Sequence, residues 1–165
     1  MIKLVAPLGA NIIGVNRKGG MVEGCSKVVT TEKIDIVLPE ADILYLALPE
    51  TPDTKNLINR KRLNLLKPSC GVVNIGRQSA IDYEALCEKL NNKELAGAIL
   101  DVFTHEPIET SSKLWNTPNL VITPHVSSDD HGSYVKMTLD LFIKNLKLFI
   151  SNKELLNQID KDLGY

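Results

Sequence analysis

The sequence predicts an α/β fold in which helices cover a parallel β-sheet. Two observations carry this prediction: short, wholly apolar runs recur along the chain, and amphipathic helical stretches separate them. Strands covered on both faces have such continuous apolar character, whereas half-exposed strands alternate apolar and polar residues. A strand–helix–strand rhythm implies right-handed crossover connections, and these connections make the sheet parallel.

Five apolar runs are predicted to be the strands of this sheet. They are residues 11–15 (NIIGV), 43–48 (ILYLAL), 71–75 (GVVNI), 95–100 (LAGAIL) and 119–123 (NLVIT). Each run is short and is followed by polar residues, as expected where a buried strand ends and a loop begins.

Two of the intervening stretches have the ends of helices. Asn59 is placed to cap a helix over 60–66, and Asp82 is placed to cap a helix over 83–92. Asparagine and aspartate accept hydrogen bonds from the free backbone N–H groups of a first helical turn. The second helix is predicted to bury the face that carries Leu86 and Leu90.

A long helix is predicted over residues 129–151, with Ser128 as its cap and two aspartates in its first turn. Negative charge at a helix N-terminus is favourable because of the helix dipole. His131 in this stretch is predicted to be solvated surface. Five residues at helical spacing are interpreted as packing residues rather than as a binding motif; they are Tyr134, Thr138, Leu141, Phe142 and Phe149.

Charge and composition exclude several classes of partner. The 165 residues include 19 basic and 20 acidic side chains, for a net charge of −1. This interspersed balance does not favour nucleic acid or anionic membrane surfaces as partners. No apolar run approaches the length of a membrane span.

The cysteines and the N-terminus predict a cytoplasmic protein. Cys25, Cys70 and Cys87 are widely spaced, with no C-x-x-C motif, so neither a disulfide framework nor a metal site is predicted. The apolar opening resembles a signal peptide, but Pro7 and Gly9 interrupt it.

The polar residues that follow three of the predicted strands are candidates for chemistry. Arg77, Glu106 and His125 each come shortly after a different strand. In an open parallel sheet, ligands bind beyond the carboxyl ends of the strands. Because one crossover separates each of these residues from the next, we expect all three to share one cleft.

Five segments of the chain together carry a family resemblance: LPETPDTKNLI, VVNIGRQSAIDYEAL, AGAILDVFTHEP, LWNTPNLVITPH and ELLNQIDKDLGY. They resemble successive signatures of the D-isomer-specific 2-hydroxyacid dehydrogenases, the family that includes glyoxylate, hydroxypyruvate and phosphoglycerate dehydrogenases. The resemblance covers almost the whole chain, in order and with normal spacing. It implies an incomplete doubly wound, Rossmann-like parallel sheet with a C-terminal helical tail.

The resemblance also implies three catalytic residues. Arg77 would hold the substrate carboxylate, Glu106 would pair with His125, and His125 would transfer the proton. These roles suit the side chains, since guanidinium can fork onto a carboxylate and imidazole titrates near neutrality. A neighbouring carboxylate favours the imidazolium and fixes the ring. His105, beside Glu106, is interpreted as a loop residue without a chemical role.

A nicotinamide cofactor follows from the same resemblance, and NADP is favoured over NAD. The family has an acidic residue for the adenosine ribose where this chain has Asn16, followed by the cations Arg17 and Lys18. A 2′-phosphate would be attracted to these cations. The alternative for Arg17 is a solvent-exposed cation on a loop. The resemblance implies further cofactor contacts from Pro49, Thr54, Ile75, Gly76, Arg77, Asp101 and His125.

The G-x-G-x-x-G loop of the family is absent from the sequence. We therefore expect an N-terminally truncated chain in which residues 1–127 form a partial NAD(P)-binding domain. Residues 128–165 are expected to form a long helix and a tail that return to a substrate domain.

The predicted activity is hydride transfer between NAD(P)H and a small 2-oxo acid of the glyoxylate or hydroxypyruvate class, in a homodimer. The 165 residues alone are expected to be inactive, because the glycine loop and the opposing wall of the cleft are missing. The alternatives are a non-catalytic, corepressor-like nucleotide-binding module and an inert relic. Turnover would distinguish these alternatives.

Overall fold

The strands form two parallel sheets in the computed structural model, which describes residues 1–128, 130 and 132–162. Strands β1 (Ile13–Asn16) and β2 (Lys27–Thr30) pair with each other. A second sheet has four strands in the order β3-β4-β5-β6; these are β3 (Ile43–Leu46), β4 (Gly71–Asn74), β5 (Gly97–Leu100) and β6 (Leu120–Ile122). All pairings are parallel, so the predicted α/β fold is confirmed.

The five predicted strands all form, although each is shorter than its apolar run. Strand β2 was not predicted, because its sequence KVVT contains only two apolar residues. It forms because β-branched side chains suit a pleated strand and because β1 lies beside it. Without β2, the strand formed by the apolar run over residues 11–15 would have no hydrogen-bonded neighbour, because these two strands make up a sheet by themselves.

The helices, as the structure describes them, include two with the predicted caps. Asn59 Oδ1 accepts from the Arg62 backbone N–H at 3.1 Å, and Asp82 Oδ1 accepts from that of Ala85 at 2.9 Å. The α-helices are α1 (Ile2–Val5), α2 (Ile34–Val37), α3 (Arg60–Leu63), α4 (Tyr83–Asn91) and α5 (Tyr134–Ile150). Short 3₁₀ segments lie at Ala6–Leu8, Thr31–Lys33, Leu38–Glu40, Gln78–Ala80 and Lys113–Asn116.

The core lies between the four-stranded sheet and helices α2 to α4. Leu86 and Leu90 of α4 are buried, as predicted from their spacing. They belong to one apolar cluster with residues of the strands and of the other two helices; its members include Ile34, Leu46, Leu63, Val72 and Leu100. This packing fixes the strand ends from which the candidate site residues emerge.

The long helix differs from its prediction in two respects. It begins at Tyr134 rather than at Asp129, and Asp130 instead caps the preceding turn by accepting from the Gly132 N–H. Asp129 and His131 lie outside the described residues. The predicted packing is wrong for the aromatic residues, since Tyr134, Phe142 and Phe149 are 63%, 61% and 69% exposed.

The described part of the chain provides little cover for this helix. The C-terminal tail contacts it through Asn145, whose side chain donates to the Leu156 carbonyl at 3.1 Å and accepts from the Leu156 N–H at 2.8 Å. Helical spacing showed that the aromatic residues share a face, but it did not show what packs against that face. None of the helices in the described ranges is long and apolar enough to cross a membrane.

Candidate active site

Glu106 and His125 meet beside an apolar cavity at the carboxyl ends of β5 and β6. His125 Nδ1 lies 2.8 Å from Glu106 Oε2, and both side chains are partly exposed. The cavity has a volume of about 470 Å³, and its apolar walls include Pro107, Ile108, Trp115, Ile122 and Pro124. The Trp115 indole N–H donates to the Glu109 carbonyl at 2.9 Å, which fixes this wall.

A second hydrogen bond holds the Glu106 carboxylate. The Phe103 N–H donates to Glu106 Oε1 at 2.8 Å, so each carboxylate oxygen has a partner. The bonds from His125 and then from the Phe103 amide lower the pKa of Glu106 below its ordinary value. Glu106 is therefore an anion at neutral pH, and it orients the imidazole through Nδ1.

Asp101 holds the backbone of the loop that carries His125. This carboxylate is 1% exposed and accepts hydrogen bonds from the Thr123 hydroxyl and from the Val126 and Ser127 backbone N–H groups, the latter two at 2.9 Å. Burial opposes its ionisation, but these bonds outweigh burial and lower the pKa of Asp101 to about 2.

The bonds to Asp101 surround a residue with an uncommon backbone conformation. His125 has a φ of 55°, in the left-handed region that few non-glycine residues adopt. Its own N–H donates to the Thr123 carbonyl at 3.0 Å. Such conformations persist where the surroundings fix them. Asp101, predicted to contact the cofactor, therefore also has a role within the protein.

Arg77 follows β4 in a loop that the Asn74 side chain builds. Asn74 is fully buried, accepts from the Gly76 N–H and donates to the Arg77 carbonyl, both at 3.1 Å. Gly76 is buried and closely packed, because a Cβ there would lie 2.5 Å from the Leu48 nitrogen. Arg77 itself is exposed, and its guanidinium donates to the Gly76 carbonyl at 2.9 Å.

The structure brings Glu106 and His125 into contact and places Arg77 in the loop after the neighbouring strand β4. Within the described part of the chain, no hydrogen bond or ion pair joins Arg77 to Glu106 or His125. His105 is exposed and lines a different cavity, of about 650 Å³, together with Glu109 and Lys113.

The loop after β1 is shaped by the residue that was predicted to face the ribose. Asn16 Oδ1 accepts from the Lys18 and Gly19 N–H groups at 3.0 and 2.7 Å, and Asn16 Nδ2 donates to the Gly20 carbonyl at 3.0 Å. These bonds use most of the amide's capacity. Arg17 and Lys18 are both exposed on the resulting turn.

The loop after β3 has a similar internal bond network. Thr54 donates its hydroxyl to the Pro49 carbonyl at 2.7 Å and accepts from the Thr51 N–H at 2.9 Å. Ile75, another predicted cofactor contact, lies beside Gly76 at the end of β4 and is partly buried. Within the described residues, no group of three or more His, Cys, Asp or Glu side chains could hold a metal ion.

Two residues of this region were not identified from the sequence. The sequence contains an indication for Asn74, because a buried asparagine inside an apolar strand needs hydrogen-bond partners for its amide. It contains no such indication for Tyr83, which has the pattern of an ordinary helix residue. Its hydroxyl accepts from Asn74 Nδ2 at 3.2 Å and donates to the Val102 carbonyl at 2.8 Å.

Comparisons with known proteins agree with this geometry. Residues 1–127 match the family model for the D-isomer specific 2-hydroxyacid dehydrogenase, NAD binding domain. A protein encoded in the proB 3′ region of Corynebacterium melassecola is 34% identical over all 165 residues, which cover 54% of its length. Glyoxylate/hydroxypyruvate reductase B of Pectobacterium carotovorum is 43% identical over 104 residues, which are 63% of this chain and 32% of that protein.

A solved structure shows the same similarity in three dimensions. It is an NADPH-dependent glyoxylate/hydroxypyruvate reductase from Sinorhizobium meliloti in complex with NADP and sulfate, with a TM-score of 0.90 and 30% identity. The match covers 99% of this chain and 52% of that one. The chain thus spans about half, or less, of the length of these relatives. It belongs to the D-isomer-specific 2-hydroxyacid dehydrogenase family, with residues 1–127 matching the NAD-binding domain of that family.

Proposed function

We propose that this chain contributes the cofactor-binding and proton-transfer half of an NADP(H)-dependent reductase for a small 2-oxo acid, of the glyoxylate or hydroxypyruvate class. The observation that carries the proposal is the Glu106–His125 pair, 2.8 Å apart at the mouth of an apolar cavity. Relatives that are named as glyoxylate/hydroxypyruvate reductases support the choice of substrate class.

His125 would be the acid that protonates the substrate oxygen. With Nδ1 held by Glu106, Nε2 is the nitrogen left for the substrate. Glu106 orients the ring through Nδ1, and the loop bonds to Asp101 fix where that ring stands. The apolar walls of the cavity would line one side of the substrate cleft, and a substrate domain would have to close the other side, since the His125 side chain is 46% exposed in this chain.

Arg77 would bind the substrate carboxylate. A guanidinium can donate two parallel hydrogen bonds to a carboxylate, and Arg77 is exposed, its one side-chain hydrogen bond within the described residues going to its own loop. Its backbone is fixed by Asn74, so the side chain starts from a defined position.

The residues present fit a phosphorylated nicotinamide dinucleotide at both ends. Arg17 and Lys18 stand on a turn that Asn16 holds, where they would meet a 2′-phosphate. Pro49 and Thr54 would face the middle of the cofactor, and Ile75, Gly76 and Asp101 its nicotinamide end. When bound, the reduced cofactor supplies the hydride that adds to the carbonyl carbon.

The domain organisation and assembly belong to the same proposal. Residues 1–127 would form part of the NAD(P)-binding domain, and residues 128–165 would return to a substrate domain. A homodimer in the cytoplasm is the assembly that we expect.

The test of function uses a chimera in which this chain follows the N-terminal segment of the Sinorhizobium meliloti reductase, assayed beside the 165-residue chain itself. We expect the chimera to reduce glyoxylate or hydroxypyruvate, and the shorter chain to show no turnover. His125→Asn should lower kcat of the chimera by about 10² to 10⁴, the usual contribution of a positioned acid. Glu106→Gln should also lower kcat, because an amide then replaces the anion that holds His125 Nδ1.

His105→Asn is the matched control for the histidine variant, and we expect it to leave turnover unchanged. An active His125→Asn enzyme beside an inactive His105→Asn enzyme would mean that the wrong histidine had been assigned. A chimera that folds and binds NADPH but never turns over would instead favour a non-catalytic module.

Cofactor preference is tested with the same chimera. NADPH should be used better than NADH, and Arg17→Ala should remove much of this preference, because a charge-assisted hydrogen bond contributes about 1.5 to 3 kcal/mol. The ratio of kcat/KM for the two cofactors measures the effect. Equal use of both cofactors by the unmodified chimera would contradict the preference.

A further inference from the structure

Tyr83, the first residue of α4, joins two loops of the candidate site. Its hydroxyl accepts from Asn74 Nδ2 at 3.2 Å and donates to the Val102 carbonyl at 2.8 Å. Asn74 builds the loop that carries Arg77, and Val102 begins the segment that leads to Glu106. One partly buried hydroxyl thus connects the end of β4 with the end of β5.

The bond to Val102 reaches Glu106 through a single peptide group. The Val102 carbonyl accepts from Tyr83, and the N–H at the other end of the same peptide unit, that of Phe103, donates to Glu106 Oε1 at 2.8 Å. A hydrogen bond to an amide carbonyl polarises the amide and strengthens the bond that its N–H donates. Tyr83 therefore acts on the carboxylate that holds His125.

The Tyr83 ring is fixed in this position, and its hydroxyl keeps the proton that it donates. Its ring packs edge to face against that of Phe103, with centroids 6.3 Å apart and an interplanar angle of 75°. Burial raises the pKa of the Tyr83 hydroxyl well above its ordinary value, against the smaller opposite effect of the bond from Asn74. The hydroxyl is therefore protonated throughout the neutral and mildly alkaline range.

We propose that Tyr83 is a positioning residue that couples the Arg77 loop to the Glu106–His125 pair through the Val102–Phe103 peptide group. The hydrogen-bond coupling is a property of this chain, and its importance for catalysis rests on the proposed function. Tyr83 acts through Asn74 and the peptide group and has no role in the chemistry itself. The hydrogen-bond chain links the residue assigned to the substrate carboxylate with the residue assigned to the proton.

The test measures the ionisation of Glu106 through the Phe103 amide. An amide proton that is hydrogen-bonded to a carboxylate shifts when that carboxylate titrates, so the Phe103 resonance in ¹H–¹⁵N spectra of the 165-residue chain reports on Glu106. Tyr83→Phe keeps the ring and removes the hydroxyl. We expect the titration midpoint of Glu106 to rise and the Phe103 amide to move upfield at neutral pH, because a weaker donor stabilises the anion less.

Two controls make the readout specific. Tyr45→Phe removes a hydroxyl from β3, outside this hydrogen-bond chain, and should leave the Phe103 titration unchanged. Glu106→Gln should abolish that titration and so confirm its assignment. A merely structural role of Tyr83 would lower stability without moving the Glu106 midpoint.

The inference is overturned if Tyr83→Phe titrates like the wild type. If the variant does not fold, the wild-type spectrum decides: we expect the Tyr83 hydroxyl proton to exchange slowly and to show a cross-relaxation peak with an Asn74 amide proton. Absence of that peak would equally overturn the inference. No substrate or cofactor is present in these measurements, so loss of the proposed catalytic function would appear in the kinetics alone.

Discussion

Replacing Asp101 with asparagine should destabilise the fold in a pH-dependent manner. The pKa of Asp101 is lowered from 3.8 to about 2 by its hydrogen bonds from Thr123, Val126 and Ser127. A difference of about two pH units corresponds to about 2 to 3 kcal/mol of folding free energy, at about 1.4 kcal/mol per unit. Asparagine adds a further cost, because its NH₂ group would oppose one of the buried N–H donors.

The sign of the pH dependence follows from the lowered pKa. A group whose pKa is lower in the folded state stabilises the fold above its ordinary pKa, and this contribution disappears as the pH falls. The stability gap between wild type and Asp101→Asn should therefore be full at pH 7 and should shrink between about pH 4 and pH 2.

Urea denaturation followed by circular dichroism measures this gap at pH 7 and at pH 3. Asp53→Asn, at an exposed aspartate, is the matched control and should change the unfolding free energy by less than about 0.5 kcal/mol. The reasoning is refuted if the two variants are equally stable at pH 7. It is also refuted if the cost of Asp101→Asn is the same at both pH values.

Two further predictions concern packing. Gly76→Ala should destabilise the protein by about 1 to 3 kcal/mol, because its Cβ would lie 2.5 and 2.7 Å from backbone atoms of Leu48. Gly71→Ala, at the start of β4 and with its nearest atom 4.0 Å away, is the control, and equal midpoints in urea for the two variants would contradict the expectation. Leu86→Ala should cost about 2 to 5 kcal/mol, since Leu86 is fully buried in the cluster beneath α4. Thermal unfolding measures this loss of unfolding free energy, and a loss below 1 kcal/mol would mean that α4 packs loosely.

The strands of the four-stranded sheet and the helix caps could be predicted because local sequence indicates them. Asn59 and Asp82 cap their helices through backbone groups only three residues away, so a short window of sequence was sufficient. Strand β2 could not be found in this way. Its KVVT sequence becomes a strand through pairing with β1, which lies outside any local window.

The candidate site likewise contains residues whose positions could be predicted from the sequence and residues whose roles could not. Glu106 and His125 could be placed together because parallel strands end at one edge of a sheet, and their contact agrees with that geometry. The roles of Asp101 and Tyr83 within the protein depend on bonds to residues 9 to 26 positions away, which no periodicity encodes. The exposed aromatic face of α5 was misjudged because spacing reveals a shared face but not its partner.

Trp115 provides a means of observing the site without a label. It is the single tryptophan of the chain, it is 52% exposed, and it forms part of the cavity wall beside Glu106 and His125. A ligand that enters the cavity replaces water at the indole, so the emission maximum should move to shorter wavelength. Fluorescence of the native protein therefore reports occupancy of the cavity directly, with a signal that comes from one known position.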